Sequence, residues 1–256
     1  MQSLRTFPGL GPIIQVQHIA NSDYNSLQLR GTKRMGKNLS FRVSFVWSKS
    51  IDDADLPIVG LFDAVGAQDE RNLHLERGLS FFNVGRRFSG DYVYNLPAAG
   101  GFLRPLVRNW QTSGIITIQD GTPENPFYFS ADFANSGTPN RPNIVPGQSI
   151  ELPAGKRTPA EWFNRAAFSQ PAPYTFGDLG RDILPTPGDI VYDLALSRSF
   201  RLREAQAIQF RAEFFNVFNH PNFGIPGNNT DFGPFFGRIL ATGHPRRIQL
   251  ALRYDF

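Results

Sequence analysis

The chain has no cysteine in its 256 residues, which removes disulfides, thiolate metal sites and cysteine nucleophiles together. No run of eighteen apolar residues occurs, so a membrane-spanning helix is excluded. The net charge of +4 is spread along the chain without a basic block, which argues against a nucleic-acid partner. The four histidines, His18, His74, His220 and His244, show no metal-ligand spacing. Neither a nucleophile elbow nor a His-Glu-x-x-His is present, so no enzyme, cofactor or metal is expected. The first residues carry a lone Arg5 and no apolar core, so no signal peptide is visible. The expectation is that Met1 is internal to a longer protein or that the reading frame is truncated.

What the chain does have is phenylalanine, 24 of them against 3 tryptophans, with 24 glycines and 20 prolines. Such punctuation predicts turns and long loops rather than long helices. The last eleven residues, Arg246–Phe256, carry the clearest instruction. From Ile248 onward the even positions are apolar or aromatic, and Gln249, Arg253 and Asp255 lie between them. That is the period of a strand with two unlike faces, and its length matches the ~9–11 residues a tilted strand needs to cross a bilayer.

The same alternation recurs upstream. A weak strand is expected at Pro12–Ala20, then strands at Tyr24–Arg34 and Leu39–Ser50 joined by the tight turn Met35-Gly36-Lys37-Asn38. Further strands are expected at Phe88–Leu96, Trp110–Gln119, Asp189–Phe200 and Ala207–Asn219, the last losing its phase at Phe214-Phe215 through a bulge or an end. Within the proline-rich stretch 120–187, Thr158-Pro159-Ala160-Glu161 has the layout of a helix start, predicting one short helix over Pro159–Arg165.

From Tyr24 the connections alternate short and long. Strict alternation puts every short turn, and the carboxy terminus, at one end of the strands, as in outer-membrane barrels with short periplasmic turns and long outer loops. An Arg at the bilayer midplane of such a barrel costs about 2–4 kcal/mol, so Arg30, Arg42 and Arg211 must face the lumen. The opposite Phe/Leu/Ile/Val face meets lipid, with Trp47, Trp110, Tyr92 and Tyr254 as candidates for the interfacial aromatic girdles. The fold class expected is therefore all-β: an antiparallel transmembrane β-barrel portion of about 7–8 strands with long extracellular loops.

Several segments, in order, resemble one family. They are Tyr24–Gln28 with Thr32–Arg34, Leu39–Phe41, Trp47–Asp53, Arg77–Ser80, Arg86–Gly90, Trp110–Gly114 with Asp120–Pro123, Trp162–Asn164 with Ala167-Phe168, Phe176–Asp178 with Gly180-Arg181, and Phe210–Phe223. This set is similar to the carboxy-terminal barrel of Oar-like TonB-dependent receptors. The resemblance implies an outer-membrane receptor importing a ligand, with a barrel of about 22 strands around a plug. Residues 1–256 would be its carboxy-terminal portion, with plug and amino-terminal region absent, and not transport-competent alone. Implied partners are the remaining barrel and plug, the barrel-assembly machinery, membrane lipid, and TonB through the missing parts. Tyr254 and Phe256 would be the signal read by the assembly machinery. The alternative is a stand-alone small barrel acting as an adhesin or narrow pore.

Other clusters read more plainly. The acidic run Asp52, Asp53 and Asp55 is expected to be a solvated loop rather than a calcium site. His220 and His244 flank one outer loop and could approach each other. Arg211 and Glu213 share one strand face, where solvation of the lumen with a cross-strand partner is expected.

Overall fold

A computed structural model describes residues 18–36, 38–54, 67–97, 108–137, 140–153, 155–203 and 206–256. Seven long strands form one antiparallel sheet in sequence order: β1 (Ser22–Met35), β2 (Leu39–Asp52), β3 (Arg86–Asn95), β4 (Trp110–Gln119), β5 (Asp189–Arg203), β6 (Gln206–Phe215) and β7 (Arg247–Asp255). The short pair Gly78–Leu79 adds to the end of β2. Each strand lies where the alternation placed it, and β1, β2 and β5 run a few residues further. β3 starts two residues earlier and ends one earlier, β4 keeps its bounds, and β6 and β7 stop short of the expected ends. The weak strand expected at Pro12–Ala20 falls mostly outside the described residues, and His18–Ala20 form none.

The register sorts the sheet into two faces, with one shift between Arg201 and Arg203 at the end of β5. One row runs Leu29, Phe45, Phe88, Ile118, Ile190, and another runs Phe41, Tyr92, Gly114, Leu194, Phe214, Ile248. The rows between them run Arg30, Ser44, Ser89, Thr117, Val191 and Ala195, Glu213, Gln249. Because side chains alternate with a period of two, one slip anywhere would have mixed these sets.

The sheet is curled. On a flat sheet Arg30 of β1 and Arg211 of β6 would stand about 31 Å apart, five strand spacings across and six residues along. Instead they line one cavity of about 760 Å³ with Arg42, Asp91, Ser113 and Asp193. The polar rows are thus the concave face and the apolar rows the convex one. Leu250 and Leu252 of β7 are 66% and 73% exposed, and nothing among the described residues covers them.

The short connections lie at one end, after β1, β3 and β5, and the end of β7 lies beside them, Asp255 opposite Ala207. The strand β6 ends at Phe215 rather than bulging. Asn216 follows in a left-handed conformation (φ 51°), and its amide N donates to Asp193 Oδ1 at 2.8 Å, which turns the chain out of the sheet.

The three long connections gather at the other end into a layer of their own. Stretch 120–188 folds back on itself through two short ladders, Pro123–Glu124 with Leu184–Pro185 and Asn143–Ile144 with Phe168–Ser169. The helix expected at Pro159–Arg165 does not form. Thr158 Oγ1 does accept the Glu161 amide at 3.2 Å, but Thr158 and Glu161 also exchange backbone hydrogen bonds and close a tight turn. Trp162 then leaves helical geometry because its amide reaches Gly237 O and its indole N–H reaches Pro185 O. A single 3-10 turn, Arg165–Ala167, follows, capped by Asn164. Burial of Phe163 against Phe168 and Phe236, with Leu184 beside them, outweighs the local helix signal.

Candidate functional site

The concave face is a polar trough with its charges largely paired. Arg42 Nε donates to Asp91 Oδ1 at 2.8 Å across β2 and β3. Arg211 donates twice to Glu213 Oε1, at 2.9 and 2.7 Å, and Arg253 to Asp255 Oδ1 at 2.7 Å. The partner of Arg211 is therefore two residues along its own strand, not across the sheet. These pairs are half exposed and contribute about 0–1 kcal/mol each. Their effect is on the lumen: a hydrated, mixed-charge surface with the apolar Ile115 between Asp91 and Asp193. Arg30 and Arg87 on the same face have no carboxylate partner among the described residues.

Above the trough, the loop layer is tied down by a buried ionic network that sequence reading missed. Arg181 is fully buried. Its guanidinium donates to the carbonyls of Glu76 (2.7 Å), Ala54 (3.0 Å) and Asp52 (2.7 Å) and to the Asp52 carboxylate, with Asp182 adjacent at 3.3 Å. Arg141 grips Glu76 through two nitrogens, at 2.7 and 3.1 Å, and Gln68 bridges Glu76, Arg141 and Gly177. Asp52, expected to be solvated, is buried and committed to Arg181. Asp53 instead holds the Asn21 amide at 2.6 Å, and Asp55 lies outside the described residues.

Two glycines let this network close. A Cβ on Gly78 would meet Arg181 O at 2.8 Å, and one on Gly177 would overlap Arg141 O. The signal was in plain view as Arg77–Ser80 and Phe176–Arg181, but no spacing rule says that stretches a hundred residues apart should meet.

The outer loop 216–246 is stitched to the strands by its asparagines. Asn216 donates its side-chain amide to the carbonyls of both His220 (2.9 Å) and His244 (3.3 Å), so those two residues do come together, through backbone. Asn219 accepts from Arg246 N, and Asn222 from Ile190 N. Asp231 caps the amides of Phe129 and Ser130 at 2.7 Å. Nearby, burial raises the Tyr128 hydroxyl above its ordinary pKa. The Asp231 charge adds to that, against a hydrogen bond to Thr230.

On the convex face the girdle candidates divide. Trp110 begins β4 near the short-turn end, where it meets Phe210 edge-on at 6.3 Å, and Trp47 lies toward the loop end of β2. Tyr92 lies within the span and bonds to Tyr192. Tyr254 and Phe256 stack at 5.8 Å on the exposed edge strand, Phe256 being 92% exposed.

An antiparallel sheet curled around a polar trough, apolar outside, with short turns at one end and a loop layer at the other, is the wall of an outer-membrane β-barrel. The chain belongs to the outer membrane beta barrel domain family, whose pattern matches residues 1–249, and its place is the outer membrane. No curated protein and no solved structure matches the chain.

Proposed function

We propose that the chain is wall and extracellular loops of an Oar-like TonB-dependent receptor, working in ligand uptake with further strands and a plug. It is a structural and binding element, not an enzyme. The observation that carries this is strand direction. β1 and β7 both run from the loop end to the short-turn end, and among the described residues no ladder joins them. Closing an all-antiparallel barrel therefore requires an odd number of further strands. One more would give eight, whose interior side chains just fill. The inner rows here, rich in Ser and in mixed charge, leave a trough of about 760 Å³ instead, which suits a wide lumen. The ordered motif set points the same way.

The absence of cysteine makes the test clean. Spin labels at Leu29→Cys on β1 and Leu252→Cys on β7, in protein held in outer membranes, report the edge-to-edge distance. In a wide barrel the labels stand about 35–40 Å apart, because six strand spacings across the sheet and eight residues of register along it separate them. A separation near two spacings, about 10 Å plus the label arms, would establish the small eight-stranded barrel instead.

A further inference from the structure

The lumenal rim holds a second, smaller cavity of about 200 Å³ beneath the loop layer, lined by Tyr24, Val46, Ser48, Phe82 and Arg87. We propose that it is an entry subsite for a ring-bearing organic anion. The rings of Tyr24 and Phe82 would take its planar body and Arg87 its anionic group. This rests on the receptor reading above and adds to it a ligand class.

Three observations carry it. First, Arg87 points to the lumen without a carboxylate partner among the described residues, whereas Arg42, Arg211 and Arg253 on the same face each have one. Its neighbours in register are Val46 and Gln119, and the Gln119 amide is occupied by Asp189 at 3.2 Å. Second, Tyr24 and Phe82 are 58% and 56% exposed, unusual for large rings on a polar lumenal face, and both border this cavity. Third, the rest of the wall is already satisfied and fixed. Ser48 Oγ donates to Val84 O at 2.9 Å, Ser50 N to Asn83 Oδ1 at 2.8 Å, and Ser80 Oγ to Ser50 Oγ at 2.8 Å.

A rigid apolar pocket with one converging charged donor is the usual form of a small-ligand site. A guanidinium fork selects planar carboxylates bidentately, and aromatic faces add stacking. Val46 and Arg87 of the cavity lie two residues along their strands from Ser44 and Ser89 of the trough that holds Arg30, so a longer ligand can continue down the wall.

The test uses the protein in outer-membrane vesicles, with 2-naphthoate, its neutral carboxamide, a galacturonate oligomer and inorganic phosphate as probes. Binding is read by saturation-transfer NMR. The expected result is that naphthoate or the acidic saccharide binds, and which of them binds tells an aromatic from a sugar body. The neutral amide should be weaker by about tenfold, and Arg87→Gln should lose about tenfold while Arg87→Lys loses less. Equal binding of acid and amide, binding of phosphate alone, or an Arg87→Gln protein that binds normally would overturn the subsite. The edge-to-edge distance measured on the same vesicles separates the two readings. A long separation without anion binding sinks only the subsite, whereas a short separation sinks the receptor reading whatever binds.

Discussion

The hydroxyl oxygens of Tyr92 and Tyr192 lie 2.7 Å apart on the lipid-facing side of the sheet, above Gly114 on the strand between them. In hydrocarbon each phenol would lack a partner, and the pair lets one satisfy the other. Gly114 makes room for it. A Cβ there would come within 2.6 Å of the Tyr92 ring and 3.0 Å of the Tyr192 ring. Tyr192 also stacks on Phe218 at 5.4 Å, which links the wall to the outer loop.

Gly114→Ala should therefore destabilise the barrel by about 1–3 kcal/mol, as overpacking does. Tyr92→Phe, which strands the Tyr192 hydroxyl, should cost about 1–3 kcal/mol. The double variant Tyr92→Phe with Tyr192→Phe should recover most of that loss, because no orphan is left. Urea unfolding in detergent or lipid measures all three. Additive losses in the double variant would show that the two hydroxyls do not depend on each other.

The faces themselves can be tested at two adjacent residues. Phe88 belongs to the row Leu29, Phe45, Ile118, Ile190, and Ser89 to the row Arg30, Ser44, Thr117. Phe88→Lys should cost about 2–4 kcal/mol if it lies near the bilayer midplane, whereas Ser89→Lys should cost under about 1 kcal/mol. Comparable losses at both positions would mean that the convex face does not meet lipid.

This sorting was legible in the sequence because a period of two needs only local information, and every long strand obeys it. Phe41, Val43, Phe45 and Trp47 announced β2 unaided. The loop layer was not legible, for the opposite reason. Asp52 and Arg181 are 129 positions apart, and an acidic run beside a strand end reads as solvated unless its partner is known. At Thr158–Glu161 the local signal was real, since the capping hydrogen bond forms, but burial of Phe163 decided the path of the chain. Tyr24, Phe82 and Arg87 lacked any shared spacing and met only through the β1–β2–β3 register and the stretch leading into β3.

The Arg181 network predicts a local failure rather than a global one. Arg181→Met leaves Asp52 and Asp182 buried without their cation, and breaking a buried pair in this way costs about 3–5 kcal/mol. That energy holds the loops to one another, while the sheet keeps its own ladders. Limited proteolysis from outside should then cut within 67–83 and 120–188 in the variant, at protease levels that leave the parent intact, with the strands protected. Equal resistance would mean that the layer is held by the Phe163 cluster instead.

The Tyr128 hydroxyl supplies a pH dependence whose sign is fixed by its surroundings. Burial raises its pKa, and the neighbouring Asp231 carboxylate opposes a second negative charge. The folded loop thus keeps a proton that an unfolded tyrosine, with an ordinary pKa of about 10, would release. The stabilisation is fully present below pH ~10 and fades as the pH rises through the folded value. Phenolate absorbance of the parent minus that of Tyr128→Phe should titrate later than free tyrosine. In the same alkaline range the segment around Phe127–Ser130 should lose amide protection, because an ionised Tyr128 repels the Asp231 carboxylate that caps it. Titration of the difference spectrum at the ordinary tyrosine value would show that this part of the loop layer is open to water.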